Sequence, residues 1–294
     1  MDDKVARIAL AALFGGAIAI AFSPIFVRLS ELGPTATAFW RLALALPVLG
    51  LWLVLAGRGT APPRQPANLA DYRRLIIAGL CMAGDLAVWH WSIKLTSVAN
   101  ATLLANAAPI FVTLGAWLFL KERFSPVFFL GMAAALAGAA MLVGSSVGLS
   151  LQHIFGDALG LLAAVFYAGY ILTIKQLRRD FSTATIMTWS GLVTCSLLWP
   201  VALLSGESLL ATILQGWVIL AGLALVSHVA GQSMVAYALA HLPAPFSSVS
   251  LLLQPAIAAL LAWLFLSEPL SFWQTMGGVI VLAGVVLARR GSRL

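Results

Sequence analysis

Trp117-Leu118-Phe119-Leu120-Lys121-Glu122 returns 146 residues later as Trp263-Leu264-Phe265-Leu266-Ser267-Glu268. Outward from this run, with the same offset and no gap, Pro109 falls on Pro255, Ser125 on Ser271, Gly131 on Gly277 and Gly138 on Gly284. Thirteen of the thirty positions from 109 to 138 are identical to their counterparts, and the offset is close to half of the 294 residues. The chain therefore reads as one unit written twice, over 1–147 and 148–294.

The unit is built for lipid. The chain is 62% hydrophobic and 9% charged, with a mean hydropathy of +1.01, whereas a soluble domain carries roughly a quarter charged residues. Apolar runs of the ~20 residues needed to cross a hydrocarbon core recur throughout, and they lack the alternation of barrel strands. The reading is an all-α integral membrane protein with ten spans. The first five run near 7–29, 36–56, 73–94, 98–120 and 126–145; the second five run near 156–177, 184–204, 214–238, 245–266 and 272–289. The only sizeable connector, 57–72, is polar and proline-rich and reads as an aqueous loop. Lys4 and Arg7 before a stretch ending Ala19-Ile20-Ala21 have the outline of a cleavable signal. Removing that stretch would break the duplication, so a retained first span is expected.

Basic residues orient the spans. With the N-terminus inside, the inner loops and termini collect fourteen of the seventeen Lys and Arg residues. The outer side has only Arg28 and Lys94, and Arg41 falls within the second span. Both termini are expected to be cytoplasmic. The net charge of +7 then reflects membrane orientation rather than a nucleic-acid partner. Because each unit has five spans, an odd number, the second enters the membrane from the opposite side. Two inverted five-helix repeats of this kind are characteristic of secondary transporters.

Ten helices in two halves, the two Trp-Leu-Phe-Leu-x-Glu runs, the prolines ahead of them (Pro109, Pro255) and Phe39-Trp40-Arg41 resemble the drug/metabolite transporter superfamily, EamA family. Within it the chain is most similar to the YddG-type exporters of aromatic and other amino acids. The resemblance implies a pathway lined by the third, fourth, eighth and ninth spans, with the first, second, sixth and seventh around them and the fifth and tenth at the periphery. Those last two carry Gly131, Gly138, Gly277, Gly278 and Gly284, suited to close packing within the chain or to the face of a homodimer.

Polar groups at mid-membrane are costly and usually face a cavity. Asp85 is the carboxylate nearest the bilayer centre, able to pair with a substrate ammonium, cycle protons or pin two helices. Trp89 shares its helical face and either flanks a substrate or anchors at the interface, as does Trp91. His90 points elsewhere and reads first as a packed histidine. In the eighth span His228 and Gln232 form a polar stripe around Gly231, the offset partner of Asp85. Asn106 in the fourth span, with Thr102 and Thr113 on its face, and Gln254 in the ninth can contact substrate or satisfy backbone groups freed by Pro109 and Pro255. This matched pair of prolines favours kinks and a hinge, whereas Pro24, Pro47 and Pro200 are unmatched and structural. Arg41 lies where it can snorkel to the outer surface, attract a carboxylate or close an outer gate. Tyr167, Tyr170, Trp189 and Tyr237 wall a cavity or simply pack. Cys81 and Cys195 read as small buried hydrophobes, and Glu122 and Glu268 as locally paired helix-end groups at opposite membrane surfaces.

The expectation is an exporter of amino acids or related metabolites across a bacterial-type inner membrane by alternating access, monomeric or homodimeric. The alternative is proton-coupled efflux of hydrophobic cations, with Asp85 as the exchange carboxylate. An intramembrane enzyme would need paired acids, a His-Glu-x-x-His metal motif or a nucleophile with a base at helical spacing, and the sequence has none of these. It also has no Gly-x-x-x-x-Gly-Lys nucleotide loop, and no cofactor or metal is expected.

Overall fold

A computed structural model describes residues 3–59, 62–96, 98–143, 151–266 and 271–292. Ser267 and Glu268, the end of the second motif copy, lie outside the described residues, as do the side chains of His90 and Lys94. The described chain is helical throughout. It runs α1 (Asp3–Ala21), α2 (Ser23–Leu29), α3 (Pro34–Ala43), α4 (Ala45–Gly57), α5 (Leu69–Leu95), α6 (Val98–Ala105), α7 (Ala108–Leu120) and α8 (Pro126–Val143). It continues with α9 (Leu151–Leu177), α10 (Thr183–Leu204), α11 (Leu214–Gly222), the π-helical stretch π1 (Leu223–Gln232), α12 (Ser233–His241), α13 (Ala244–Leu251), α14 (Leu253–Leu266) and α15 (Phe272–Gly291).

Local sequence sets these starts and breaks. Asn68 and Ser182 cap α5 and α10 by accepting the Asp71 and Thr185 N–H groups, and Ser271 with Gln274 makes a reciprocal capping box at α15. Prolines open α2, α3, α7 and α13, where a missing N–H costs nothing. Several apolar segments are broken without leaving their path: at Phe22, at Leu44, at Asn106–Ala107 and at Leu252. The last two breaks stand 146 residues apart, just ahead of Pro109 and Pro255. Thr113 returns its hydroxyl to the Pro109 carbonyl one turn back in α7, at 2.7 Å.

Among the described residues, eight stretches are long and apolar enough to cross a membrane, and α8 contributes a shorter apolar helix, Pro126–Leu142. Large hydrophobics point outward along them. The repeated motif is among the most exposed: Phe119 is 75% exposed and Phe265 61%, with Trp117 and Trp263 beside them. On a soluble surface this would be an aggregation hazard; against lipid it is the expected outer face.

Inside, glycines set the closest approaches. A side chain on Gly131 would strike the Gly284 carbonyl and one on Gly138 the Gly277 carbonyl, and each relation holds in reverse. Shifting the pair Gly131/Gly284 by the sequence offset gives Gly277/Gly138, so the seam between α8 and α15 has the self-complementary form of a two-fold contact. These four glycines face one another within the chain. Gly278 faces Ala256, also within the chain. α5 packs on α9 and α10, and α1 on π1 and α12. Gly84 meets Phe166 and Gly231 meets Ile20, residues 146 apart, so by contact Gly231 is the counterpart of Gly84, and Gln232 rather than Gly231 is the counterpart of Asp85.

The two ends of the bundle are tied across the halves. At one end Glu31 accepts hydrogen bonds from the Thr212 N–H (2.9 Å), the Thr212 hydroxyl (2.7 Å) and the Ile213 N–H (3.3 Å), at the start of α11. Glu207 in turn accepts from the Ala36 N–H in the first turn of α3 at 2.9 Å, and the Trp40 indole N–H donates to the Leu209 carbonyl. At the other end the expected aqueous loop is structured. Arg64 donates to both carboxylate oxygens of Asp71 (3.1 and 2.9 Å), and Arg74 bridges Asp71 (2.8 Å) and Asp180 (2.6 Å). The Phe181 ring lies under both guanidinium groups, 4.8 and 5.8 Å from its centroid.

Candidate functional site

Four elements converge on the interior. α3 supplies Arg41, α5 supplies Asp85, α9 supplies Tyr167 and Tyr170, and π1 supplies His228 and Gln232. Arg41 is within electrostatic reach of Asp85 and both tyrosines, and His228 is within reach of Arg41. The Gln232 side chain lies beside the Tyr167 hydroxyl. The two tyrosine rings stack at 6.2 Å between centroids and 22° between planes, and the Tyr170 hydroxyl points at the Met187 sulfur, 3.8 Å away. Asp85, His228 and Gln232, singled out in the sequence, are thus brought together, and Arg41 joins them.

His228 and Gln232 are 2% and 4% exposed, yet both ring nitrogens of His228 and the Gln232 Oε1 have no hydrogen-bond partner, nor does the Arg41 Nε. Buried polar atoms are nearly always satisfied, so several such atoms on one cluster mark a place that takes up something polar. Arg41, Asp85 and Tyr167 keep partial exposure. The π1 backbone contributes directly: π turns are rare and recur at functional sites, and this one carries both His228 and Gln232.

Asn106 and Gln254 sit at the two helix breaks, Asn106 between α6 and α7 and Gln254 as the second residue of α14. The Nδ2 of Asn106 and Nε2 of Gln254 are buried without partners, so they do not serve the backbone freed by Pro109 and Pro255. Among the described contacts none joins them to the Arg41 cluster. Trp89 is half-buried, one turn beyond Asp85 on α5.

Other expectations are corrected. Arg41 does not snorkel: it lies within electrostatic reach of Asp85, Tyr167, Tyr170 and His228 in the interior. Trp189 is edge-on to Tyr72 at 5.4 Å, and Tyr237 lies against His241 at 5.1 Å, so neither walls this cluster. Glu122 lies just past the end of α7, its N–H donating to the Ala116 carbonyl; burial pushes its carboxyl up, while Lys175 and Arg179 of the other half oppose that shift. Cys81 and Cys195 are free and half-buried. One residue escaped the sequence reading. Ser233, next to Gln232, has a buried, unpartnered hydroxyl. A helical serine usually returns its hydroxyl to the preceding turn, so nothing in the sequence set it apart.

With this geometry in hand, comparison with known proteins is specific. The chain matches the EamA-like transporter family over residues 7–144 and again over 154–290. It belongs to that family. It is thus a multi-pass membrane protein of the drug/metabolite transporter superfamily. The pseudopaline exporter CntI of Pseudomonas aeruginosa is 29% identical over 250 residues, covering 83% of each chain. A probable terminal-alkyne amino-acid exporter of Streptantibioticus cattleyicolor is 28% identical over 279 residues, 92% of this chain and 89% of that one. The threonine/homoserine exporter RhtA of Salmonella typhimurium is 28% identical over 224 residues, 75% and 70% of the two chains. A solved crystal structure, 18% identical, superposes with a TM-score of 0.82 over 100% of this chain and 99% of that one, a likeness of fold.

Proposed function

We propose that this EamA-family transporter exports amino acids, neutral and including aromatic ones, or closely related metabolites across a bacterial inner membrane by alternating access. In this reading ten spans form two inverted five-helix repeats, over 1–147 and 148–294, with both termini in the cytoplasm. The reciprocal glycine seam and the matched breaks at 106–107 and 252 support the inversion. The observation that carries the function is the interior cluster, in which a guanidinium, a carboxylate and unpartnered amide and imidazole groups meet beside two tyrosines. Such a site suits a small molecule that is both charged and partly apolar. Relatives named as exporters of amino acids agree with it. Asn106 and Gln254 add polar groups along the pathway, and the breaks beside Pro109 and Pro255 act as its hinges.

Efflux of hydrophobic cations fits less well, because a cation drawn to Asp85 also meets Arg41. The test is efflux from proteoliposomes preloaded with a labelled amino-acid panel (threonine, homoserine, leucine, phenylalanine) or with cationic dyes, with and without a pH gradient. Release of at least one amino acid faster than from protein-free vesicles is expected. Dye release alone would overturn the reading in favour of the cation alternative.

A further inference from the structure

We propose that Arg41 and Asp85 form a two-point receptor that grips the carboxylate and the ammonium of one substrate molecule, so that transport requires both groups to be free. The proposal rests on the amino-acid reading above and narrows it to the intact α-zwitterion.

Three observations carry it. First, the two charges are neighbours but do not close on one another: they sit on different helices within electrostatic reach, and no Arg41–Asp85 ion pair within 4.0 Å is among those of the described residues. Elsewhere in this chain, oppositely charged groups do close, to 2.6–2.9 Å among Arg64, Asp71, Arg74 and Asp180. Opposite charges inside a bundle recover their desolvation cost only through direct, well-satisfied contacts. Second, the guanidinium has a buried, unpartnered Nε, and a guanidinium edge is a planar fork suited to carboxylate. Third, neither residue is sealed from its surroundings: both keep intermediate exposure.

An α-amino acid carries ammonium and carboxylate on adjacent carbons, so a single molecule can bridge a separated Arg–Asp pair, with its net charge of zero leaving the site neutral. A primary amine or amino-acid ester would satisfy Asp85 and leave Arg41 facing a cation. An N-acyl amino acid would do the reverse. Tyr167, backed by the buried Tyr170 ring, offers aromatic surface to the rest of the molecule, while His228 and Gln232 keep spare hydrogen-bonding atoms for polar side chains.

The experiment uses the full chain in proteoliposomes and the best-transported amino acid of the panel. Wild-type efflux of that amino acid is competed with unlabelled free amino acid, its methyl ester, its decarboxylated amine and its N-acetyl form on the same vesicle face. The free form should compete at least about 100-fold better than any of the three, since sites built around substrate polar groups reject analogues lacking them. Arg41→Gln should lose the free amino acid but gain the ester, whereas Asp85→Asn should lose it and gain the N-acetyl form. A merely structural role for either residue would not swap preference in opposite directions. If amino acid is transported but ester or N-acetyl forms compete equally in the wild type, the receptor is overturned while the exporter reading stands. If both variants instead carry the free form with unchanged KM, the receptor is likewise overturned. If no amino acid moves at all, the exporter reading itself fails. Should the variants fail to fold, the wild-type competition alone decides.

Discussion

The two ends of the molecule perform the same task with different chemistry. At each, a connector from the first half is tied to one from the second. At the end holding residues 64–74 and 180–185, four charges form a network around Asp71, which is 1% exposed. At the opposite end, which lies outside the cell in the proposed topology, Glu31 and Glu207 bind backbone N–H groups at the first turns of α11 and α3. The first arrangement is redundant, since each arginine reaches both carboxylates. The second depends on two carboxylates that act at helix starts, where their charge also meets the positive end of the helix. Ions should therefore loosen one end, and protons the other.

The sharpest way to break the comparison is Asp71→Ala. Removing the hub leaves Arg64 and Arg74 crowded against each other and strands the Ala67 N–H. Loss of one partner from a buried ion network should lower the melting temperature in detergent by about 10 °C. A drop no larger than that from the exposed Arg58→Ala would remove Asp71 as the hub.

Acid should act on the other end. The Thr212 hydroxyl bond lowers the Glu31 carboxyl below its ordinary value; partial burial opposes this, and the Ile213 and Thr212 N–H groups reinforce it. A depressed folded-state value means that the tie is fully present above the usual carboxylate range and lost as pH falls through the lowered one. The stability advantage of wild type over Glu31→Gln should thus hold steady from pH 7 to 5 and shrink below about pH 4. A constant gap across that range would show that Glu31 contributes no charge-dependent tie.

Salt separates the ends more gently. Raising NaCl to about 1 M shortens the screening length to about 3 Å, so the melting difference between wild type and Arg74→Ala should contract, while that for Trp40→Phe should not. The smallest effects should be equal at the two ends. Trp40→Phe, which loses the hydrogen bond to Leu209, and Asn68→Ala, which loses the α5 cap, should each cost about 1 kcal/mol, as read from denaturation midpoints in mixed micelles. Unequal values would mean that the ends differ in more than charge.

Much of this was legible in the sequence, and the rest was not, for physical reasons. Hydropathy and the 146-residue offset placed the helices because a bilayer demands long apolar runs. Asp85, His228 and Gln232 stood out because polar groups in such runs are expensive. Tyr167 and Tyr170 were candidates for a cavity wall together with Trp189 and Tyr237, and the sequence could not separate them, since an aromatic ring packs comfortably almost anywhere in a bundle. The side that Arg41 faces could not be read, because its long side chain reaches either surface or interior from the same backbone position. The end ties were invisible: Glu31 and Thr212 are 181 residues apart and Arg74 and Asp180 are 106 apart, beyond any local pattern.

The wide turn of π1 has a consequence of its own. A π turn spends about one residue more than an α turn, and each α-helical residue advances the direction around the axis by about 100°. Deleting one residue from Leu223–Gln232 would let that stretch relax to an ordinary helix and swing its two polar side chains away from Arg41, with no functional group removed. Under the proposed function the stretch aims the site, and this deletion should change cargo preference in the efflux assay.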